Sequence, residues 1–184
     1  RAGASAPDHF HFQACSAGRL PVEEELLGPP GPPAERLLAW AEEAGAEVQV
    51  VDAGARGAIL FAGTEPGGVA RLVARAVDLL PPGGPVEPDL NLVARHDGER
   101  WRLALFPRRA HRPACYSAPG PERLLVSPGA ADLAGLVVIT REEDLARLDG
   151  ERLAAIYGEV ARGGEETARL LAPLVRELGG WRRW

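Results

Sequence analysis

The chain has 184 residues, 46% of them hydrophobic and 26% charged, a composition suited to an ordinary globular protein with one sizeable core or two small lobes. Acidic residues outnumber basic ones, 26 to 21, giving a net charge of −5, which disfavours a general nucleic-acid binder. No apolar run approaches the length needed to cross a membrane, and no secretory signal opens the chain.

Cys15 and Cys115 lack CxxC spacing and are too few for a disulfide framework, so a reducing, cytoplasmic setting is expected. Every basic residue is arginine, and arginine abundance by itself therefore carries no message. The first residue is not methionine and a candidate element begins almost at once, so a start farther upstream is expected.

The opening stretch "SAPDHFHFQAC" predicts a strand. Alternation would place His9, His11 and Gln13 on one face and Phe10, Phe12 and Ala14 on the other. "LPVEEELLGPPGPP" reads as a connection because prolines and glycines crowd its second half. "AERLLAWAEEAGA" reads as a helix with Leu37, Leu38 and Trp40 on its apolar side and Gly45 as its stop. "EVQVVD" and "GAILFAG" read as strands across a glycine-rich turn.

"EPGGVARLVARAVDLL" has Val69, Leu72, Val73, Ala76, Val77 and Leu80 at helical spacing, with Pro66 at the start and Pro81–Pro82 at the end. "DLNLVARHDGERWRLALFPRR" alternates as a hairpin does, with Asp97-Gly98 at its turn. "RLLVSPGAADLAGLVVIT" reads as two short strands around a Pro-Gly turn. "REEDLARL", "GERLAAIYGEVARG" and "EETARLLAPLVRELG" read as short helices, the first with Thr140 as N-cap. Antiparallel strands beside grouped helices make the expected class α+β.

Three stretches can carry chemistry. A row of two imidazoles and one amide suits an anionic ligand, could supply two ligands to a metal, or could simply be a wet strand face. A neutral imidazole has a lone pair at neutral pH and can attack phosphorus. "FPRRAHRP" concentrates Arg108, Arg109, His111 and Arg112 at the end of the hairpin, and guanidinium groups match phosphate oxygens in a bidentate way. A solvated loop paired with the chain's own carboxylates is the equal alternative. "VSPGAADLAG" offers the Ser127 hydroxyl and a turn whose N–H groups could meet a phosphate or ribose, with Asp132 read as a solvated carboxylate. The final "GGWRRW" reads as a tail packed on its own domain or disordered.

"DHFHFQA" resembles the His-x-His-x-Gln motif of the transferase branch of the histidine-triad superfamily, which includes galactose-1-phosphate uridylyltransferase, diadenosine tetraphosphate phosphorylase and GDP-L-galactose phosphorylase. "FPRRAHRP" and "SPGAADLAGLVVITREED" resemble stretches of a bacterial group related to these, so the likeness spans roughly residues 3–150. It implies a single α+β domain over 1–184, the C-terminal part of a two-half fold. Residues 1–18 would be the catalytic histidine strand, 19–33 the connection, 34–113 a half-barrel-like sheet with helices, and 114–184 a strand pair with C-terminal helices.

The resemblance further implies that His11 attacks the α-phosphorus to form a covalent nucleotidyl intermediate. His9 would position the site and Gln13 would hydrogen-bond the phosphate. Glutamine in the third place goes with transfer rather than hydrolysis, since a neutral amide is no acid–base relay. Arg108, Arg109, His111, Arg112, Ser5 and Ser127 are the implied phosphate or nucleotide contacts. The relatives have a serine three residues before the first histidine; here that place is Ala6, with Ser5 one residue farther.

The expected substrate is a nucleotide sugar or dinucleoside polyphosphate, and the acceptor phosphate or a sugar phosphate. No cofactor, nucleic acid or membrane is called for, and a homodimer is expected because the relatives are often dimeric. Two other readings stand beside this one: a nucleotide-binding module without chemistry, and a metal-dependent hydrolase using His9 and His11.

Overall fold

The computed structural model describes residues 13–83 and 88–183. His9, His11 and Ser5, with most of the expected histidine strand, lie outside them. Gln13 and Ala14 are exposed and belong to no strand.

The described chain forms a six-stranded, wholly antiparallel sheet with helices against it, an α+β architecture. In chain order the strands are β1 (Leu37–Glu43), β2 (Ala46–Asp52), β3 (Gly57–Gly63), β4 (Leu90–His96), β5 (Trp101–Pro107) and β6 (Trp181–Arg182). Their order across the sheet is β4-β5-β3-β2-β1-β6. Every residue of β3 is buried, as suits an apolar strand in the middle of the sheet. The helices are α1 (Pro66–Asp78), α2 (Ala114–Ser117), α3 (Ala130–Leu133), α4 (Glu142–Leu145), α5 (Gly150–Val160) and α6 (Gly164–Glu177). Among the described residues no helix is long and apolar enough to cross a membrane.

One face of the sheet packs against α1 and α6. Val48, Val50, Ile59, Phe61 and Leu105 meet Val69, Leu72, Leu171 and Leu174 there. The start of α6 comes so close that a Cβ on Gly164 would sit 2.9 Å from Asp52 Cα, so only glycine fits. The opposite face carries a second core, in which Val51, Ala58, Leu60, Ala104 and Phe106 meet Val22, Leu26, Leu27, Leu133 and Tyr157. A small third cluster joins Leu124, Val126 and Ile156.

The expected strands β2 to β5 and helices α1, α5 and α6 are present, with Pro66 as the first residue of α1. The tail also packs on its own domain, because Trp181–Arg182 pair with Trp40 and Ala39 of β1. Four expectations are corrected. Residues 37–43 are a strand, not a helix. A two-residue turn at Ala44-Gly45, both with positive φ, folds them back onto β2, and a bulge at Leu38 lets Leu38 and Ala39 both face inward.

The connection 19–33 contains a five-residue helical turn, Glu23–Leu27. The Glu23 carboxylate caps its approach by accepting the N–H groups of Gly18, Arg19 and Leu20. Residues 123–140 form no strand pair. Asp132 gathers the N–H groups of Gly129 and Val138, and Asp144 takes that of Leu125, so side chains replace a ladder. Thr140 is not the N-cap of α4; Arg141 holds that place and folds its side chain onto Asp144.

Candidate functional site

The loop after β5 and the segment 126–132 meet at the β4 end of the sheet. Arg108 joins them. It lies 1% exposed, and its five N–H directions all end on oxygen atoms of the chain. Nη1 donates to Asn91 Oδ1 at 2.9 Å and to the Pro128 carbonyl at 2.5 Å. Nη2 donates to the carbonyls of Ala110 (3.0 Å) and His111 (2.9 Å), and Nε donates to Ala110 at 3.3 Å. Burial pushes the guanidinium down to about 10, against the pull of Asp89 and Asp132.

Such a group has no N–H left for a phosphate. Arg108 therefore does not take the expected place of an anion donor; it shapes the loop on which the others stand. Its main chain is tied as well, donating to the Asp89 carbonyl and accepting from Arg162 Nε.

Arg109 is exposed and paired with Glu166 of α6, a carboxylate that also takes Arg162. Arg112 turns the other way. Its Nε donates to Ser127 Oγ at 3.2 Å, and its guanidinium lies 4.1 Å above the Tyr116 ring. The terminal nitrogens of Arg112 have no hydrogen-bond partner among the described residues, and the Ser127 hydroxyl keeps its proton to donate. His111 is half-buried, with its carbonyl held by Arg108. Of the expected phosphate contacts, Arg112 and Ser127 are thus brought together, while Arg108 and Arg109 are committed elsewhere.

The turn at Ser127-Pro128-Gly129 does not offer the backbone N–H groups expected of it. Proline has none, and that of Gly129 goes to Asp132 Oδ2 at 2.8 Å. Asp132 is consequently buried and not a solvated carboxylate. Its carbonyl accepts from the hydroxyl of Tyr157, whose phenol is pushed up to about 12 by burial. The spacing of Gly129 and Asp132, three apart at the start of a helix, is a capping pattern that could have revealed this role. Tyr116, which supports Arg112, has no comparable signal in the sequence.

The segment leaving Gln13 is anchored to the same region. The Val22 N–H donates to the Ala134 carbonyl at 3.0 Å, and the Pro21 ring lies against Gly135. Among the described residues no three His, Cys, Asp or Glu side chains cluster to hold an ion; His9 and His11, the two ligands that a metal reading uses, lie outside them.

No family model, no curated protein and no solved structure matches the chain. What the arrangement can do therefore rests on its own groups: one guanidinium with two open amino groups, a hydroxyl donor, and a second arginine shared with a carboxylate. These suit an oxyanion with several exposed oxygens.

Proposed function

We propose that the chain serves nucleotidyl transfer, as a transferase or phosphorylase of the histidine-triad kind, on a nucleoside diphosphate sugar or dinucleoside polyphosphate. In this reading an imidazole nitrogen of His11 attacks the α-phosphorus. A nitrogen–phosphorus bond forms, and the bond to the leaving phosphate or sugar phosphate breaks. An acceptor phosphate or sugar phosphate then attacks the nucleotidyl-histidine, restoring the imidazole. His9 positions the nucleophile and Gln13 donates to a phosphate oxygen. Arg112 and Ser127 face the developing charge, with Arg109 exchanging Glu166 for substrate.

One observation carries most of this reading. Two of the sequence stretches singled out for chemistry meet directly, and the chain leading away from the third is tied to the same segment. Arg108 and Arg112 reach Pro128 and Ser127, and Val22, downstream of Gln13, reaches Ala134. The test is to incubate the full chain with UDP- and GDP-sugars labelled in the α-phosphate, and to look for acid-labile, alkali-stable label on His11. His11→Asn is expected to abolish labelling and transfer while keeping nucleotide binding. Unchanged turnover in that variant would remove His11 from its role.

The burial of Arg108 and the pairing of Arg109 favour a second reading, a nucleotide-binding module without chemistry, since they leave fewer guanidinium groups for a transition state. Calorimetric binding with no histidine label under any nucleotide would support it.

A further inference from the structure

The sheet face opposite α1 and α6 is only partly covered. Beyond the core around Phe106 it opens into a cleft of about 280 Å³, walled by Pro30 and Pro32 and floored by Leu60 and Ala62. Strand register supplies its polar rim. Glu47 and Arg102 stand on the strands either side of Ala62, directly opposite it, so a methyl group lies between a carboxylate and a guanidinium. Gln49 stands beside them, opposite Leu60.

The rim is built and held. Glu47 accepts from the Trp40 indole (3.3 Å), Gln49 Nε2 (3.4 Å) and Arg100 Nη2 (3.2 Å). Because Gln49 spends its amino group on Glu47, its carbonyl oxygen is left as an acceptor. Arg102 donates its Nε to Asp97 at 3.2 Å, and its terminal nitrogens have no partner among the described residues. The proline wall is fixed at both ends. Arg183 grips the carbonyls of Ala34 and Glu35 (3.0 and 2.9 Å), and Glu25 pairs with Arg36 and Arg56.

The chemistry of the lining narrows the ligand. Arg100 balances Glu47 and Asp97 balances Arg102, so the cleft has no net charge to select an ion. The Phe61 ring belongs to the opposite core, and among the described residues lining the cleft no other aromatic ring offers a face on which a base could stack. What remains is an aliphatic floor flanked by an acceptor amide, a carboxylate and an open guanidinium. We infer that this cleft binds a neutral hydroxylated ring of monosaccharide size, its C–H face on Leu60 and Ala62 and its hydroxyls shared among Gln49, Glu47 and Arg102. This stands apart from the nucleotidyl-transfer reading, no step of which touches these residues.

The experiment titrates the ¹⁵N-labelled full chain with D-galactose, D-glucose and D-mannose. The Trp40 indole N–H, the Gln49 amide and the Arg102 Nε–H signals are expected to shift together along one saturable curve. Gln49→Leu, of similar shape, and Ala62→Leu, which fills the floor, are expected to weaken binding about tenfold or more. Arg169→Gln, on the opposite face, is expected to leave it unchanged. Failure of all three signals to move with any hexose would overturn the assignment, as would binding that survives both cleft variants in folded protein. Shifts produced by guanosine, uridine or orthophosphate but not by hexoses would overturn it too. His11→Asn is expected to bind the hexose normally, so this test and the labelling test fail separately.

Discussion

Arg108 brings a guanidinium into a place where water cannot reach it, which is tolerable only because every N–H meets an oxygen. Replacing it by methionine keeps the volume and removes one donor from Asn91 Oδ1 and the Arg108 donors from three carbonyls. Such a loss is expected to cost about 1–3 kcal/mol for each acceptor left unsatisfied, to be seen as a fall in the urea midpoint at unchanged slope. Arg108→Lys is expected to recover only part, since an ammonium cannot reproduce the planar fork. Arg112→Ala is expected to cost about 1 kcal/mol, the worth of a half-buried cation–π contact, and to weaken binding of orthophosphate. If both arginines prove equal in stability, the division drawn between them is wrong. Three arginines in one loop were legible in the sequence, but the interior one was not separated from the others. The clue was present: Ala104, Phe106 and Arg108 share one parity in the return strand, and the first two face the core.

Tyr157 carries a prediction at the same scale. Burial raises its phenol to about 12 from the ordinary 10.0, so the protonated ring contributes stability that is complete below the ordinary value. That stability is lost as pH rises towards 12. An ultraviolet titration is expected to show one late phenolate step that Tyr157→Phe removes. A Tyr157 that ionises at the ordinary value would mean that the ring is not buried as the structure has it.

At the scale of elements, local preference and tertiary demand disagree most sharply at β1. Its alanine, leucine and glutamate are good helix formers, yet β2 on one side and β6 on the other claim its backbone groups. The deciding signal is the pair Ala44-Gly45, with φ of 49° and 76°, the left-handed pair that a two-residue hairpin turn requires. Gly45→Ala is expected to destabilise by about 1 kcal/mol, and Ala44→Gly or Asn to stabilise by up to about that amount. In a chain of this size the corresponding shifts in melting temperature are about 2–4 °C. Opposite signs at adjacent positions are the decisive feature, for a helix stop at Gly45 would not make Ala44→Gly stabilising. The hairpin β4–β5 and helix α1 were legible because alternation, turn residues and terminal prolines agreed. Segment 123–140 was not, because the side chains of Asp132 and Asp144, rather than a facing strand, satisfy its backbone.

Across the whole molecule, the sheet is held by ladders and apolar burial, whereas residues 18–20 and 125, in the segments that flank the candidate site, are held by carboxylates. Glu23 caps residues 18–20. The N–H of Gly18, helped by that of Leu20, draws its carboxyl below the usual range against the opposing effect of burial. Asp144 anchors residue 125 and is drawn down first by the Arg141 guanidinium. Both groups bind protons more weakly folded than unfolded, so their stabilisation is complete above the ordinary carboxylate range. It is lost as pH falls through their lowered folded values. Acidification is therefore expected to release the site before the sheet. Hydrogen exchange, corrected for the intrinsic effect of pH, is expected to show protection falling at the amides of Gly18, Arg19, Leu20 and Leu125 while residues 46–63 keep theirs. Asp144→Asn is expected to expose Leu125 already at neutral pH and to leave Gly18 protected, because the two clamps share no partner. Simultaneous loss of protection at both clamps and in β2 and β3 would show that the site segments and the sheet unfold as one unit. The tether from Val22 to Ala134 would then hold residues 18–22 no more independently than the ladders hold the sheet.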